Sequence, residues 1–436
     1  MATPARRLAL RVLREISRER GTLADALAEP ELDGLPERDR ALVHELVLGT
    51  LRRRGWLDHV LARLASRPLA ELDPGVDDVL RLAVYQLLYT RVPAHAVLSE
   101  AVDLAREVAP RAAGFTNAIL RRLQREGPPV AVDPASDPLR WLTSAGSLPR
   151  WLAKRWLARL GPERTVARAQ ALLQVPPTHF RVSPRVADVP AWLASLDIRV
   201  RPTAVPGAFE LLEGRLTGPV GEGLVYVQDA GAQMVAQLSA TKGRLLDACA
   251  APGGKSLLLA DLPGASLVVA ADASLRRVRT LARLSTRWGA SRVRVLAADA
   301  GRPPFRTLFD CVLLDAPCSG LGTLARRPDI RWRLRAGDLA RHAERQRSLL
   351  AAVAPLVRPG GRLVYATCSV EPEENEDVVR PFLARHSDFA PEDPPRWAEP
   401  QRDGDFLRME PATTAGDAFF VAVLRRAQDG PSGRMW

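Results

Sequence analysis

From about residue 226 onward the chain alternates short apolar runs with longer amphipathic stretches, and that alternation leaves few folds open. RLLDAC (244–249), SLVVAADA (266–273), RVRVLAAD (292–299), FDCVLLDA (309–316) and GRLVYATC (361–368) have the length and composition of buried strands. Helical spacing recurs between them, which predicts a parallel sheet with crossover helices, an α/β Rossmann-like domain over 226–427. FLRMEP (406–411) and AFFVAVLRR (418–426) read as a closing antiparallel pair, and the last ten residues, AQDGPSGRMW, as a loose tail.

Residues 1–130 have a different rhythm. RRLALRVLREI, DRALVHELVLGTLRR, LDHVLARLA, VDDVLRLAVYQLLYT, AVLSEAVDLAREV and GFTNAILRRLQRE carry apolar residues three and four apart, separated by breakers such as ELDGLP and LDPG. This predicts an all-α bundle. The proline-rich EGPPVAVDPASDP (126–138) follows as a linker, and 139–225 reads as a small α+β connecting segment able to touch RNA.

The bulk numbers exclude several classes. With 436 residues, 47% hydrophobic and 26% charged, the chain has an ordinary globular composition with no apolar run of membrane-spanning length. The basic N-terminus lacks a secretory apolar core, so a cytoplasmic location is expected. Four cysteines are too few for a disulfide framework, and no CxxC pair suggests a metal. The net charge of +12 points to an acidic partner, nucleic acid being the commonest. In 326–347, RRPDIRWRLRAGDLARHAERQR, eight Arg stand against three acids, which suggests a surface that grips phosphates.

DACAAPGGKS (247–256) closes the first strand with a glycine turn that opens a helix. Cys249, Ala250, Ala251, Pro252, Gly253, Gly254 and Lys255 would surround a nucleotide-like ligand there. The turn is neither a Walker A loop nor a GxGxxG fingerprint. Asp272 ends the second strand, about 20 residues on, where a carboxylate can take ribose hydroxyls. Asp299 ends the third strand, suited to an adenine edge, and Asp315 ends the fourth. Each alone could cap a helix. Together they favour an adenosine-bearing ligand without phosphates, S-adenosyl-L-methionine.

Cys311 lies inside a strand and reads as core, and Cys249 as packing. Cys318, in LDAPCSGLG (314–322), and Cys368, in VYATCSVEP (364–372), both follow strand ends on the ligand-binding edge. A thiolate added to carbon 6 of cytosine would make carbon 5 an enamine able to accept a methyl group. Asp315 could stabilise charge at ring N3. Either cysteine could be the attacking one on this reading.

DACAAPGGKS, Asp272, AADA with Asp299, LLDAPCSGLG, RRPDIRW and PGGRLVYATCSVEPEENE together resemble the Sun/Nop-type RNA cytosine-C5 methyltransferases. LRLAVYQLLYTRVPAHAVLSEAVDLA and GFTNAILRRL resemble the NusB-like helical domain, with Thr116 where valine is expected. The combination is similar to the bacterial 16S rRNA cytosine-C5 methyltransferase B family. That resemblance implies Cys368 as nucleophile, Cys318 in product release and Asp315 in base activation. It also implies cofactor contacts at Cys249 through Lys255, Asp272, Asp299 and Asp315. The implied substrate is 16S rRNA, naked or early in assembly, methylated by a monomer without metal or membrane. Another RNA such as tRNA is the alternative substrate. A binding protein without catalysis, or a DNA methyltransferase attacking through Cys318, fits the motifs less well.

Overall fold

A computed structural model describes residues 2–19, 21–28, 30–411 and 416–428. Most of the expected C-terminal tail, 429–436, lies outside the described residues. The chain divides into two compact units: residues 1–175 with 324–336, and 176–323 with 337–436. The segment expected to connect two domains, 139–225, is therefore shared between the units.

The first unit is helical, with long helices Pro4–Ser17, Glu37–Leu64, Val76–Tyr89, Ala94–Val108 and Ala113–Glu126. Two expected helices, DRALVHELVLGTLRR and LDHVLARLA, form the single helix Glu37–Leu64. The RRRGW junction has no proline, and one glycine costs only about 1 kcal/mol. Their apolar stripes meet in one core around Val43, Leu46, Val47, Leu57, Leu61, Val79, Leu82 and Leu120. Short helices Pro138–Thr143, Arg150–Leu160 and Pro162–Leu172 complete the unit.

The second unit contains two sheets. The smaller orders β1 (His179–Val182), β2 (Arg199–Pro202), β3 (Phe209–Glu213) and β4 (Val225–Val227) as β2-β3-β1-β4, all antiparallel. The larger is built from β5 (Gly243–Asp247), β6 (Ala265–Asp272), β7 (Val293–Ala297), β8 (Phe309–Asp315) and β9 (Val357–Thr367), all parallel. It continues antiparallel through β13 (Phe419–Arg426), β12 (Phe406–Met409) and β11 (Arg402–Asp403), with β10 (Phe389–Pro391) also on β13. The five expected parallel strands and the closing pair are present; β10 and β11 are additions.

Period-two alternation sends Leu245, Leu313, Val364 and Val421 to one face of this sheet, and Leu246, Val312, Leu363 and Phe420 to the other. Helices Gly254–Asp261 and Leu275–Trp288 cover the first face; Ala336–Val353 and Glu376–Arg385 cover the second. Strands buried on both faces read as continuous apolar runs, as seen in the sequence. The path runs β9-β8-β5-β6-β7, so the chain winds outward from β5 and then returns to its other side. That reversal opens a crevice between the carboxyl ends of β5 and β8, where doubly wound sheets take ligands.

Candidate active site

Asp247 ends β5, and the chain then turns through Cys249–Gly253 before the helix Gly254–Asp261 begins. Gly253 adopts φ +121°, a conformation that residues with side chains rarely take, so glycine makes this turn possible. The loop is tied down from the neighbouring strand. Ala250 N–H donates to the Ala271 carbonyl (2.8 Å), and Ala251 N–H to Asp272 Oδ2 (3.3 Å). Asp272 is buried, and its Oδ1 also accepts from Ser274 N–H (2.9 Å) and pairs with Arg277 (2.9 Å). It therefore fixes the glycine turn from the end of β6. Asp299, exposed two residues beyond β7, accepts from Gly301 N–H (2.9 Å).

Cys249, Ala250, Ala251, Pro252, Gly254, Lys255 and Asp315 line one cavity of about 200 Å³ with Asp247, Tyr226, Val227, Gln228 and Ala232. Gly253, Asp272 and Asp299 are outside its lining but on the same sheet edge. Tyr226, Gln228 and Asp247 are the members that sequence reasoning passed over. Asp247 opens the DACAAPGGKS run without being singled out there, whereas Tyr226 and Gln228 lie in no motif, and only the docking of β4 against the glycine turn brings them to the cavity. Two buried acceptors here, Asp247 Oδ1 and Gln228 Oε1, have no hydrogen-bond partner.

Charge is concentrated at the cavity floor. Lys255 Nζ pairs with Asp315 Oδ2 at 2.7 Å and lies 5.6 Å from the centre of the Phe419 ring. Burial acts to lower the Lys255 ammonium, but Asp315, Asp247 and Cys368 outweigh it and raise it. Burial pushes the Asp247 carboxyl up to about 7, against the hydrogen bond from Ser256 Oγ (2.6 Å). Burial likewise pushes the Cys249 and Cys311 thiols up to about 12, leaving both as packing groups.

Cys318 and Cys368 are both partly exposed, and their sulfurs stand 3.3 Å apart. β8 and β9 are adjacent and parallel, so their carboxyl ends deliver the two cysteines to one place. Gly322 N–H donates to the Cys368 carbonyl (2.9 Å), which closes one turn onto the other. Cys318 is held well above its ordinary value, first by its hydrogen bond with Cys368, then by desolvation. The structure thus brings together Cys318, Cys368, Asp315 and Lys255 from three strand ends.

The Arg-rich stretch 326–347 is divided between the two units, and one of its eight arginines is withdrawn from the surface. Residues 324–336 belong to the first unit, where Arg331 is fully buried. Its guanidinium donates to the carbonyls of Ser147 (3.0 Å), Leu324 (3.2 Å), Leu172 (3.3 Å) and Arg52 (3.4 Å). Arg333 pairs with Asp329 and Arg335 with Glu19. Arg331 is therefore a structural plug, its five fixed donors suited to a cluster of backbone acceptors, while the other seven arginines are partly or fully exposed.

The chain is similar to known proteins over most of its length. Residues 235–425 match the model of the 16S rRNA methyltransferase RsmB/F family, and residues 3–125 match the NusB family. The ribosomal RNA small subunit methyltransferase B of Sodalis glossinidius is 38% identical, over 93% of this chain and 94% of its own length. The chain belongs to the 16S rRNA methyltransferase RsmB/F family. Its counterpart in Salmonella paratyphi B is 35% identical over 96% of this chain and 98% of that one. A methyltransferase homolog from Pyrococcus horikoshii, solved by crystallography, covers 68% of this chain and 100% of its own at 26% identity, with a TM-score of 0.57. Among the described residues, no helix is long and apolar enough to cross a membrane.

Proposed function

We propose that this protein methylates carbon 5 of a cytidine in 16S rRNA, using S-adenosyl-L-methionine, in the bacterial cytoplasm. The observation that carries the reading is the 3.3 Å approach of Cys318 and Cys368 beside the Lys255–Asp315 pair. One thiol suffices to add to a pyrimidine; two in contact suit a reaction that must both make and break a carbon–sulfur bond.

The residues around the cavity fit the cofactor. Gln228 Oε1 and Asp247 Oδ1, buried acceptors without a partner, suit an ammonium donor such as that of an amino-acid end. Cys249 through Lys255, Asp272, Asp299 and Asp315 are the proposed holders of the rest. When bound, the cofactor supplies an electrophilic methyl group on a sulfonium.

Cys368 is the proposed nucleophile. Its sulfur forms a bond to carbon 6 of the base, and the displaced electron pair reaches carbon 5, ready for methylation. Lys255 presents positive charge to this sulfur. Asp315 is proposed to stabilise the charge that develops at ring N3 as the sulfur adds to carbon 6. Cys318 retains its proton and is assigned to the release step: the carbon 5 proton passes to solvent water, its electron pair re-forms the carbon 5–carbon 6 double bond, and the carbon–sulfur pair leaves on Cys368, which takes the proton of Cys318. The base must be unstacked to meet Cys368, so a loop or single-stranded cytidine is the expected target. The NusB-family helices and the 139–225 stretch are the proposed RNA-contacting parts of a monomer acting on naked or early-assembly rRNA.

Bisulfite sequencing of 16S rRNA from a deletion strain carrying Cys368→Ala tests the reading. Loss of one methylated cytidine, restored by the wild-type gene, is expected while purified Cys368→Ala still binds cofactor. Normal methylation by that variant would overturn it, and methylation lost from tRNA instead would move the substrate.

A further inference from the structure

Each of the two cysteines is followed by a serine, Ser319 after Cys318 and Ser369 after Cys368, and both serines converge on one carboxylate. Glu374 Oε2 accepts from Ser319 Oγ and from Ser369 Oγ, each at 2.5 Å. The two hydroxyl oxygens are themselves 3.2 Å apart. Glu374 Oε1 accepts from Ser319 N–H (2.8 Å) and from Gln346 Nε2 (3.0 Å), and Gln346 also donates to the carbonyl of Pro317 (3.0 Å). The carboxylate is fully buried and is satisfied by four hydrogen-bond donors rather than by an ion pair.

Its backbone is equally fixed. Tyr365 OH donates to the Glu374 carbonyl (2.6 Å). The neighbouring Asn375 accepts from Thr367 Oγ1 (2.6 Å) and donates through Nδ2 to the Ser369 carbonyl (3.1 Å). The turn after β9 is therefore folded back so that Glu374 stands behind both cysteines.

We propose that Glu374 is a positioning residue whose buried carboxylate ties the Cys318 turn to the Cys368 turn and sets the separation of the two sulfurs. The inference rests on the reading of Cys368 as nucleophile and Cys318 as the releasing group. Its logic is local: remove the carboxylate, and Ser319 and Ser369 lose their common acceptor, which leaves their own 3.2 Å contact and the Gly322–Cys368 backbone bond to hold the two turns. Cys318 is held above its ordinary value first by its hydrogen bond with Cys368 and by burial, and Glu374 and Asp315 act in the same direction. Small misplacements of reacting groups are costly, so a modest drift of the turns is enough to slow the reaction.

Glu374→Gln keeps the shape but replaces one acceptor oxygen with an NH2 group, so either the two serines lose their common acceptor or Ser319 N–H and Gln346 Nε2 face another donor. Its kcat is expected to fall by about tenfold or more, with the KM for cofactor nearly unchanged. A second readout follows the sulfurs alone. Diamide closes two adjacent thiols to a disulfide: both S–H bonds are lost, one S–S bond forms, and the azo group takes up both hydrogens. Closure of Cys318 and Cys368, read as a loss of two hydrogens by peptide mass, should be fast in the wild-type protein and clearly slower in Glu374→Gln. Wild-type kcat together with wild-type closure in that variant would overturn the proposal. Should Glu374→Gln fail to fold, Ser319→Ala and Ser369→Ala each remove one tether, and each should slow closure; unchanged closure in both would overturn it equally. Cys368→Ala assayed alongside judges the underlying chemistry, because activity in that variant defeats the nucleophile assignment whatever Glu374 does to sulfur spacing.

Discussion

Asp247 carries the clearest pH signature at the residue scale. Burial raises its carboxyl to about 7, above the unfolded value near 4, so the folded chain binds this proton more tightly than the unfolded one. Its contribution to stability is complete below about pH 4 and is lost as pH rises through about 7. Asp247→Asn, which still accepts from Ser256 Oγ, should abolish that loss. Thermal melts without cofactor are expected to show the variant gaining on wild type at pH 8 relative to pH 5; parallel pH slopes would contradict the assignment. Thr116 is a second single-residue case. It is fully buried with an unpartnered hydroxyl, at the position where the sequence resemblance led us to expect valine. Thr116→Val removes that hydroxyl without changing shape and should stabilise the protein by about 1 kcal/mol in denaturant titration.

Elements explain why the cysteines meet. The adjacent parallel strands β8 and β9 end in the two thiols, and Gly322 lets their turns touch. A Cβ at Gly322 would stand 2.7 Å from the Cys368 carbonyl oxygen and 2.7 Å from the Ala418 carbonyl oxygen, backbone groups that cannot yield cheaply. Gly322→Ala is expected to cost about 1–3 kcal/mol of stability and to lower methylation, read by thermal melting and labelled-methyl incorporation. The strands themselves were legible in sequence because burial on both faces makes their runs continuously apolar. The glycine turn and the two Cys-Ser pairs were legible because their residue types are uncommon at strand ends. Glu374 was not, since EPEENE offers four acids within six residues, and local sequence does not separate the buried Glu374 from the partly exposed Glu373. Only the return of the chain behind both turns distinguishes it.

At the scale of the whole molecule, a charge count includes groups that never reach the surface. The net charge of +12 includes Arg331, which contacts no solvent and instead closes a set of carbonyls within the first unit. Arg331→Met should destabilise the protein by on the order of 3 kcal/mol, because four carbonyls lose their donor, and thermal melting checks this. The division of the chain was legible only in part: the helical and α/β rhythms were plain, but the return of 324–336 to the first unit is held by Arg331, by Trp332 Nε1 donating to the Leu51 carbonyl and by Arg52 donating to the Ala325 carbonyl, contacts that no local motif announces. The central claim concerns which sulfur attacks and which releases. Purified Cys318→Ala, incubated with target RNA and cofactor and run on a denaturing gel, should accumulate a covalent protein–RNA band, while Cys368→Ala gives none. A band from Cys368→Ala and none from Cys318→Ala would reverse the two roles.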